Sequence, residues 1–263
     1  MCAISNGMAA FSPGTFIPIT SSFFMFYLYA APAVRMGALQ RLKVIHAATH
    51  DTIGMGEDGP THQPVELASL FRAMPNLLYF RPADGEETAG AWIAAVEAED
   101  ASSIISSSRH KVPQLKQTRR EGVARGAYVI REDDKAQLTL IGVGAELSHV
   151  LNAATVLETK GVRCRVVSFP CQRLFEGQSL EYKRNTLRRH QGIAAVVVEP
   201  YAPNGWERYA DAGISVRRFG HSLPGAEAYK YFGFDVDGIV SKVLGYLGRL
   251  RQDEMLKGEF VDL

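Results

Sequence analysis

An α/β fold built from two successive parallel-sheet units is predicted for this 263-residue chain by three observations. Short apolar runs alternate with longer stretches of helical period. Two such series are separated by a polar, basic segment, "PQLKQTRREGVARG", at 113–126. Hydrophobic content of 46% over this length is enough to bury a core for one or two domains. A net charge of +1 provides no long-range field for nucleic acid or anionic lipid, so neither is expected as a partner. Cys2, Cys164 and Cys171 are odd in number and match no metal spacing, so they read as buried thiols of a reducing compartment.

The N-terminus has no charged residue between Met1 and Arg35, and "FIPITSSFFMFYLYAAPAV" approaches the length of a membrane span. Against a membrane or signal reading stand the missing basic flank and the interruptions at Pro13, Pro18 and Pro32. The alternative is a helix buried all round, within a large core or a subunit interface. Next, "KVIHAAT" (43–49) reads as a buried strand, "PVELASLFRAM" as a helix and "NLLYFRP" as a strand stopped by Pro82. "DGEETAGAWIAAVEAE" reads as a helix with Asp84 as N-cap and Glu86 and Glu87 in the first turn. "SSIISSS" is a strand that delivers Arg109 at its end, where it could meet His50. Residues 113–126 read as a surface linker with solvated charges. The second unit runs "QLTLIGVG" strand, "AELSHVLNAATVLETKG" helix, "VRCRVVSFP" strand, "AAVVVEP" strand and a closing helix "VDGIVSKVLGYLGRL". The turn "GVGAEL" approaches a dinucleotide fingerprint, but Leu147 takes the third glycine's place, so a tight strand-to-helix turn is the better reading.

The stretches "ATHDTIGMGEDGPTHQPVE", "RPADGEE" and "SRHKVPQL" resemble the pyrimidine-binding domain of the transketolase family, including its fungal dihydroxyacetone synthase branch. "GVGAELS", "RVVSFP" and "EPYAPNGWERYADAGISVRRFGHSLPGAEAYKYFGFD" are similar to its C-terminal domain, so the resemblance covers nearly the whole chain. It implies a pyrimidine-binding domain over 1–112, truncated at its N-terminus, then the linker and a C-terminal domain over 127–263. It implies transfer of a two-carbon ketol unit between sugar phosphates, or to formaldehyde in the synthase branch, with thiamine diphosphate as cofactor.

Carried over by position, the resemblance places His50, Asp58 and His62 in the substrate channel, with His62 and His50 catalytic and His62 also beside the cofactor. Arg109 corresponds to the arginine that holds the substrate phosphate, for which a planar guanidinium is suited. "SSFFMFYLYAAPAVR" resembles a family helix whose aromatics wall the aminopyrimidine ring, placing Phe23, Phe26 and Tyr29 there. A spacing of three would set them on one helical face.

The family's activating glutamate, in an Arg-Glu-His run, and its Gly-Asp-Gly…Asn diphosphate motif have no counterpart in these 263 residues, and no acid stands among the first 50. No metal ligand is assigned here. The magnesium or calcium that anchors the diphosphate is expected on a region outside this chain. A homodimer or a complementary chain is expected, together with a cytoplasmic location; a peroxisomal one fits the synthase branch, although no Ser-Lys-Leu ends the sequence. Whether the chain is an enzyme is left open, the alternative being a non-catalytic remnant or accessory subunit of a transketolase-like protein.

Overall fold

A computed structural model describes residues 1–253, 256 and 258–263. The first unit contains β1 (Ile19–Phe23), β2 (Ile45–Thr49), β3 (Leu77–Phe80) and β4 (Ser102–Ser107), with α1 (Cys2–Phe11), α2 (Tyr27–Leu39), α3 (Leu67–Ala73) and α4 (Gly85–Glu97). Its sheet is parallel throughout, in the order β1-β2-β4-β3.

The chain then passes through α5 (Arg120–Val123), β5 (Tyr128–Arg131) and β6 (Leu138–Gly142) into α6 (Leu147–Thr159) and β7 (Cys164–Ser168). Two short helices, α7 (Gln172–Glu176) and α8 (Leu180–Leu187), lead to β8 (Ala194–Val198) and β9 (Ala212–Ile214). The chain closes with α9 (Gly225–Phe232), α10 (Val236–Gln252) and β10 (Val261–Asp262). The second sheet has the order β10-β9-β8-β6-β7-β5, with β5 antiparallel to β7 and the other pairs parallel. The fold class is therefore the predicted one.

Local sequence explains the elements. All five residues of β6 and all five of β7 are buried, as expected of strands covered by helices on both faces. Asp84 accepts from the Glu87 amide at 3.1 Å and so caps α4, as its sequence position predicts. Asp235 caps α10 in the same way, accepting from Gly238 N at 3.1 Å. The turn "GVGAEL" is a strand-to-helix turn, with Gly144 at φ 62° and the Arg81 side chain pressed against it.

Two local expectations change. The apolar N-terminal run is not one buried helix: it is the edge strand β1, a single 3₁₀ turn at Phe24–Phe26 and then α2. It is not buried all round either, since Tyr29 is 84% exposed and Ile19 55% exposed. Aromatic and β-branched residues suit strand and helix alike, and the bend at Phe24–Phe26 changes the direction in which each ring projects. No helix among the described residues is long and apolar enough to cross a membrane. The 113–126 segment is more than a solvated connector. Thr118 reaches back to Asp84 at 2.5 Å, Val123 is fully buried, and Arg120 pairs with Glu86 at 2.7 Å.

The two units share their core. Ile53, Val65 and Ala83 of the first belong to the cluster formed by β6, β8, α6 and α10, while Tyr201 of the second joins Phe24, Phe71 and Tyr79. The ends of β2 and β4 consequently face the second unit across a buried seam.

Candidate active site

β2 ends at Thr49, and the chain then forms a loop to Glu66 that contains two single 3₁₀ turns, Ile53–Met55 and Gly59–Thr61. His50 begins it in the left-handed region, at φ 63°. That conformation costs an L-residue about 1 kcal/mol, and it turns the imidazole back over the end of β1. There the ring stacks on Phe23, with centroids 3.7 Å apart. Phe23 in turn stacks on Phe26 at 5.5 Å, and Phe26 lies 6.4 Å from Tyr29. The three aromatics form a continuous row, although they come from a strand end, a 3₁₀ turn and a helix. Phe26 and Tyr29 leave ring surface exposed.

His62 meets the same row from the far end of the loop. It approaches Phe26 edge-on at 5.3 Å and Phe23 at 5.9 Å. Its Nδ1 is 2.8 Å from Thr61 Oγ1, and His50 Nδ1 is 2.9 Å from Thr49 Oγ1, so each imidazole is oriented through Nδ1 by a neighbouring hydroxyl. Arg109, just past β4, donates from Nη1 to Met55 O at 2.8 Å. Gly56 beside it is at φ 97°, a conformation that glycine adopts without strain. Asp58 is exposed at the loop's tip.

These groups share one electrostatic neighbourhood. The His50 pKa is lowered, first by desolvation and then by the Arg109 and His62 charges, with Asp58 acting in the opposite direction. His50 is thus held neutral near pH 7 and can accept a proton. All the residues singled out in the sequence, Phe23, Phe26, Tyr29, His50, Asp58, His62 and Arg109, lie at this one place.

Sequence reasoning missed the support beneath it. Arg81, at the end of β3, is fully buried and donates to Asp51 Oδ2 at 2.9 Å, Glu146 Oε2 at 2.6 Å and Val143 O at 3.1 Å, with Glu199 Oε1 at 3.4 Å. Arg72 grips Glu199 bidentately at 2.7 Å, and Trp206 Nε1 donates to the same carboxylate at 2.8 Å. Tyr229 and Thr52 both donate to Glu146 Oε1 at 2.6 Å, and the Tyr201 hydroxyl donates to Asp51 O. The residues come from both units, so the network ties the base of the loop to the second sheet.

Three carboxylates meet two guanidiniums here, which leaves one excess negative charge in a dry setting. Asp51 absorbs the imbalance: Oδ1 has no partner, and burial, opposed by Arg81 and reinforced by Glu146 and Glu199, raises its pKa from 3.8 to about 6. Glu199 goes the other way, because Arg72 and Arg81 outweigh its desolvation. The folded chain therefore holds the Asp51 proton more tightly than the unfolded chain does. This group's contribution to stability must fall as pH rises from about 4 to about 6, by about 3 kcal/mol in all. Asp51→Asn is expected to remove that slope from the variant's stability-against-pH curve relative to the parent, read by urea unfolding at half-unit pH steps. Parallel curves for the two proteins would contradict the assignment.

Comparison with known proteins identifies the family. The family model "Transketolase, pyrimidine binding domain" matches residues 1–114, and "Transketolase-like TK C-terminal domain" matches 126–235. The dihydroxyacetone synthase of Candida boidinii is 51% identical over 100% of this chain and 37% of its own length; that of Pichia angusta is 49% identical over the same shares. The crystal structure of a Pichia stipitis transketolase in complex with sedoheptulose 7-phosphate superposes with a TM-score of 0.92. It is 38% identical, over 96% of this chain and 37% of that one. The chain thus spans little more than a third of the length of these relatives, and over that span it belongs to the transketolase family.

Proposed function

We propose that the chain forms one wall of a thiamine-diphosphate site in which a two-carbon ketol unit passes from a ketose phosphate to an aldehyde. The observation that carries this reading is the gathering of His50, His62 and Arg109 around the Phe23–Phe26–Tyr29 row. A flat heterocycle fits against such a row, because offset stacking needs exposed ring faces in series. On this reading the cation that anchors the diphosphate is held by ligands outside this chain. The reading therefore requires completion by residues beyond these 263, in a companion chain or in the same longer polypeptide. Exposed Phe11, Ile19, Leu28 and Leu39 provide apolar surface on the same unit for a second subunit.

When bound, the cofactor supplies the nucleophilic carbon that ketol cleavage requires. The chain's own residues handle protons and position substrate. Neutral His50 takes a proton from a substrate hydroxyl, and His62 serves the oxygen nearer the aromatic row. Asp58 accepts from a hydroxyl and discriminates against substrates that lack it. Arg109 binds the phosphate. The similarity to two proteins named dihydroxyacetone synthase supports that branch's acceptor, formaldehyde, over a sugar phosphate.

The test combines binding and turnover. Alone, the chain is expected to show no turnover in a coupled ketol-transfer assay and no tight binding of thiamine diphosphate with magnesium by calorimetry. Completed with the diphosphate-binding region, it should turn over sedoheptulose 7-phosphate, and Arg109→Ala should raise KM for phosphorylated substrates about tenfold or more while leaving kcat nearly unchanged. A completed protein that binds cofactor and substrate but gives no turnover would support the alternative of a non-catalytic accessory subunit.

A further inference from the structure

The loop that presents Asp58 and His62 has few bonds of its own. Between Glu57 and Gln63 its internal contacts include His62 N to Gly59 O at 3.0 Å, Gln63 N to Gly59 O at 3.1 Å and Thr61 Oγ1 to Asp58 O at 3.3 Å. Further support comes from a distant part of the chain. Residues 219–224 and the first part of α9, to Tyr229, lie across it as a strap. Ser222 Oγ donates to Glu57 O at 2.5 Å. Gln63, with no exposed surface, uses one amide nitrogen to bridge Ile53 O at 3.0 Å within the loop and His221 O at 3.1 Å in the strap. Tyr229 and Thr52 lie 3.0 Å apart, hydroxyl to hydroxyl, and are tied through Glu146 Oε1, to which both donate.

Four glycines make the close approach possible. A Cβ on Gly220 would fall 1.6 Å from Gln63 Oε1, and one on Gly54 would fall 2.3 Å from the Tyr229 ring. A Cβ on Gly225 would sit 2.7 Å from Gly54 O, and one on Gly59, at φ 68°, 3.0 Å from Ser222 Cβ. Backbone approaches backbone at Gly225 against Gly54 and at Gly59 against Ser222, while Gly220 and Gly54 leave room for the Gln63 and Tyr229 side chains.

We propose that the strap is a positioning element for the candidate site: Ser222 and Gln63 fix the 57–62 turn, so the second unit sets where Asp58 and His62 stand on the first. Neither Ser222 nor Gln63 reaches the aromatic row, and both act through the loop they hold. The proposal rests on the functional reading above only for its consequence on turnover, because the positioning itself is measurable without cofactor.

Hydrogen–deuterium exchange of the chain as it stands, read by mass spectrometry, separates the two. Ser222→Ala and Gly220→Ala disturb the strap at different anchor points, and Thr155→Ala removes an exposed hydroxyl from α6 as a control. Both strap variants are expected to speed exchange in a peptide covering 53–63 about tenfold, while β6 and β8 keep the parent rates and the control changes nothing. In the completed protein the same variants should lower kcat/KM about tenfold. Unchanged exchange at 53–63 in both strap variants would overturn the proposal, as would a uniform rise across β6 and β8, which would mark a general loss of stability. If the loop loosens as expected but the completed parent protein shows no turnover, positioning stands and the functional reading fails.

Discussion

Arg81→Met is expected to leave the protein largely unfolded at room temperature. The guanidinium sits among Asp51, Glu146 and Glu199 with no exposed surface, and it is the group that contacts all three carboxylates. Deleting one partner of a buried ion pair typically costs about 3–5 kcal/mol, because the remaining charge stays desolvated and uncompensated. Here up to three carboxylates are affected, against a whole-domain stability of about 5–15 kcal/mol. Lysine should rescue little, since a single ammonium cannot reproduce the fork that reaches Asp51, Glu146 and the Val143 carbonyl together. Adding Glu146→Gln to Arg81→Met should recover part of the loss, because it removes one stranded charge. Urea midpoints of the single and double variants decide the matter. A loss below about 1 kcal/mol for Arg81→Met would mean that water or rearrangement compensates the network.

The second large effect is on chemistry. In the completed protein, His62→Ala is expected to lower kcat/KM by about a hundred- to ten-thousandfold, the usual range for a positioned proton-transfer group. Its stability cost should be small, since the ring is only part buried and its polar contact is with the adjacent Thr61. His50 needs a different substitution. Alanine there would carry the strain of φ 63° along with the loss of the imidazole, whereas His50→Asn keeps a residue that tolerates the left-handed region. A thermal midpoint within a degree or two of the parent, together with the kinetic loss, would assign the His62 effect to catalysis. A change below about fivefold would remove His62 from proton transfer.

The strand-to-helix rhythm was legible because buried parallel strands are continuous apolar runs: "TLIG" and "AVVV" declare themselves, and so does Asp84 as a cap. The gathering of His50 and Arg109 followed from a topological rule, since each ends a strand and the strands β2 and β4 are neighbours. The aromatic row was harder. Phe23, Phe26 and Tyr29 have helical spacing, yet a strand end, a 3₁₀ turn and a helix supply them, and tertiary packing brings their rings into line. The ion network was invisible for a different reason. Arg81, Glu146 and Glu199 each look like an ordinary surface charge at the end of an element, and their partners lie 65 and 118 residues from Arg81. The available signal was position: a charge directly after a strand buried on both faces has little access to solvent. The antiparallel β5 and the short α7, α8 and α9 carried too few residues for a period to show.

The seam between loop and strap also has a consequence for the order of assembly. Glu57 is joined to Ser222 across 165 residues, Asp51 to Tyr201 across 150 and Thr52 to Tyr229 across 177. On a ribosome, the residues that will form the site emerge long before the segment that fixes them. The first sheet can therefore collapse around β2 and β4 while the 50–66 loop still lacks its distant anchors, and that loop reaches its final geometry only after α9 is synthesised and docks. A nascent chain stopped before α9 would carry the full Gly-Glu-Asp-Gly-Pro-Thr-His motif on an unfastened loop, so the emergence and docking of α9, more than collapse of the first sheet, sets when the site becomes whole.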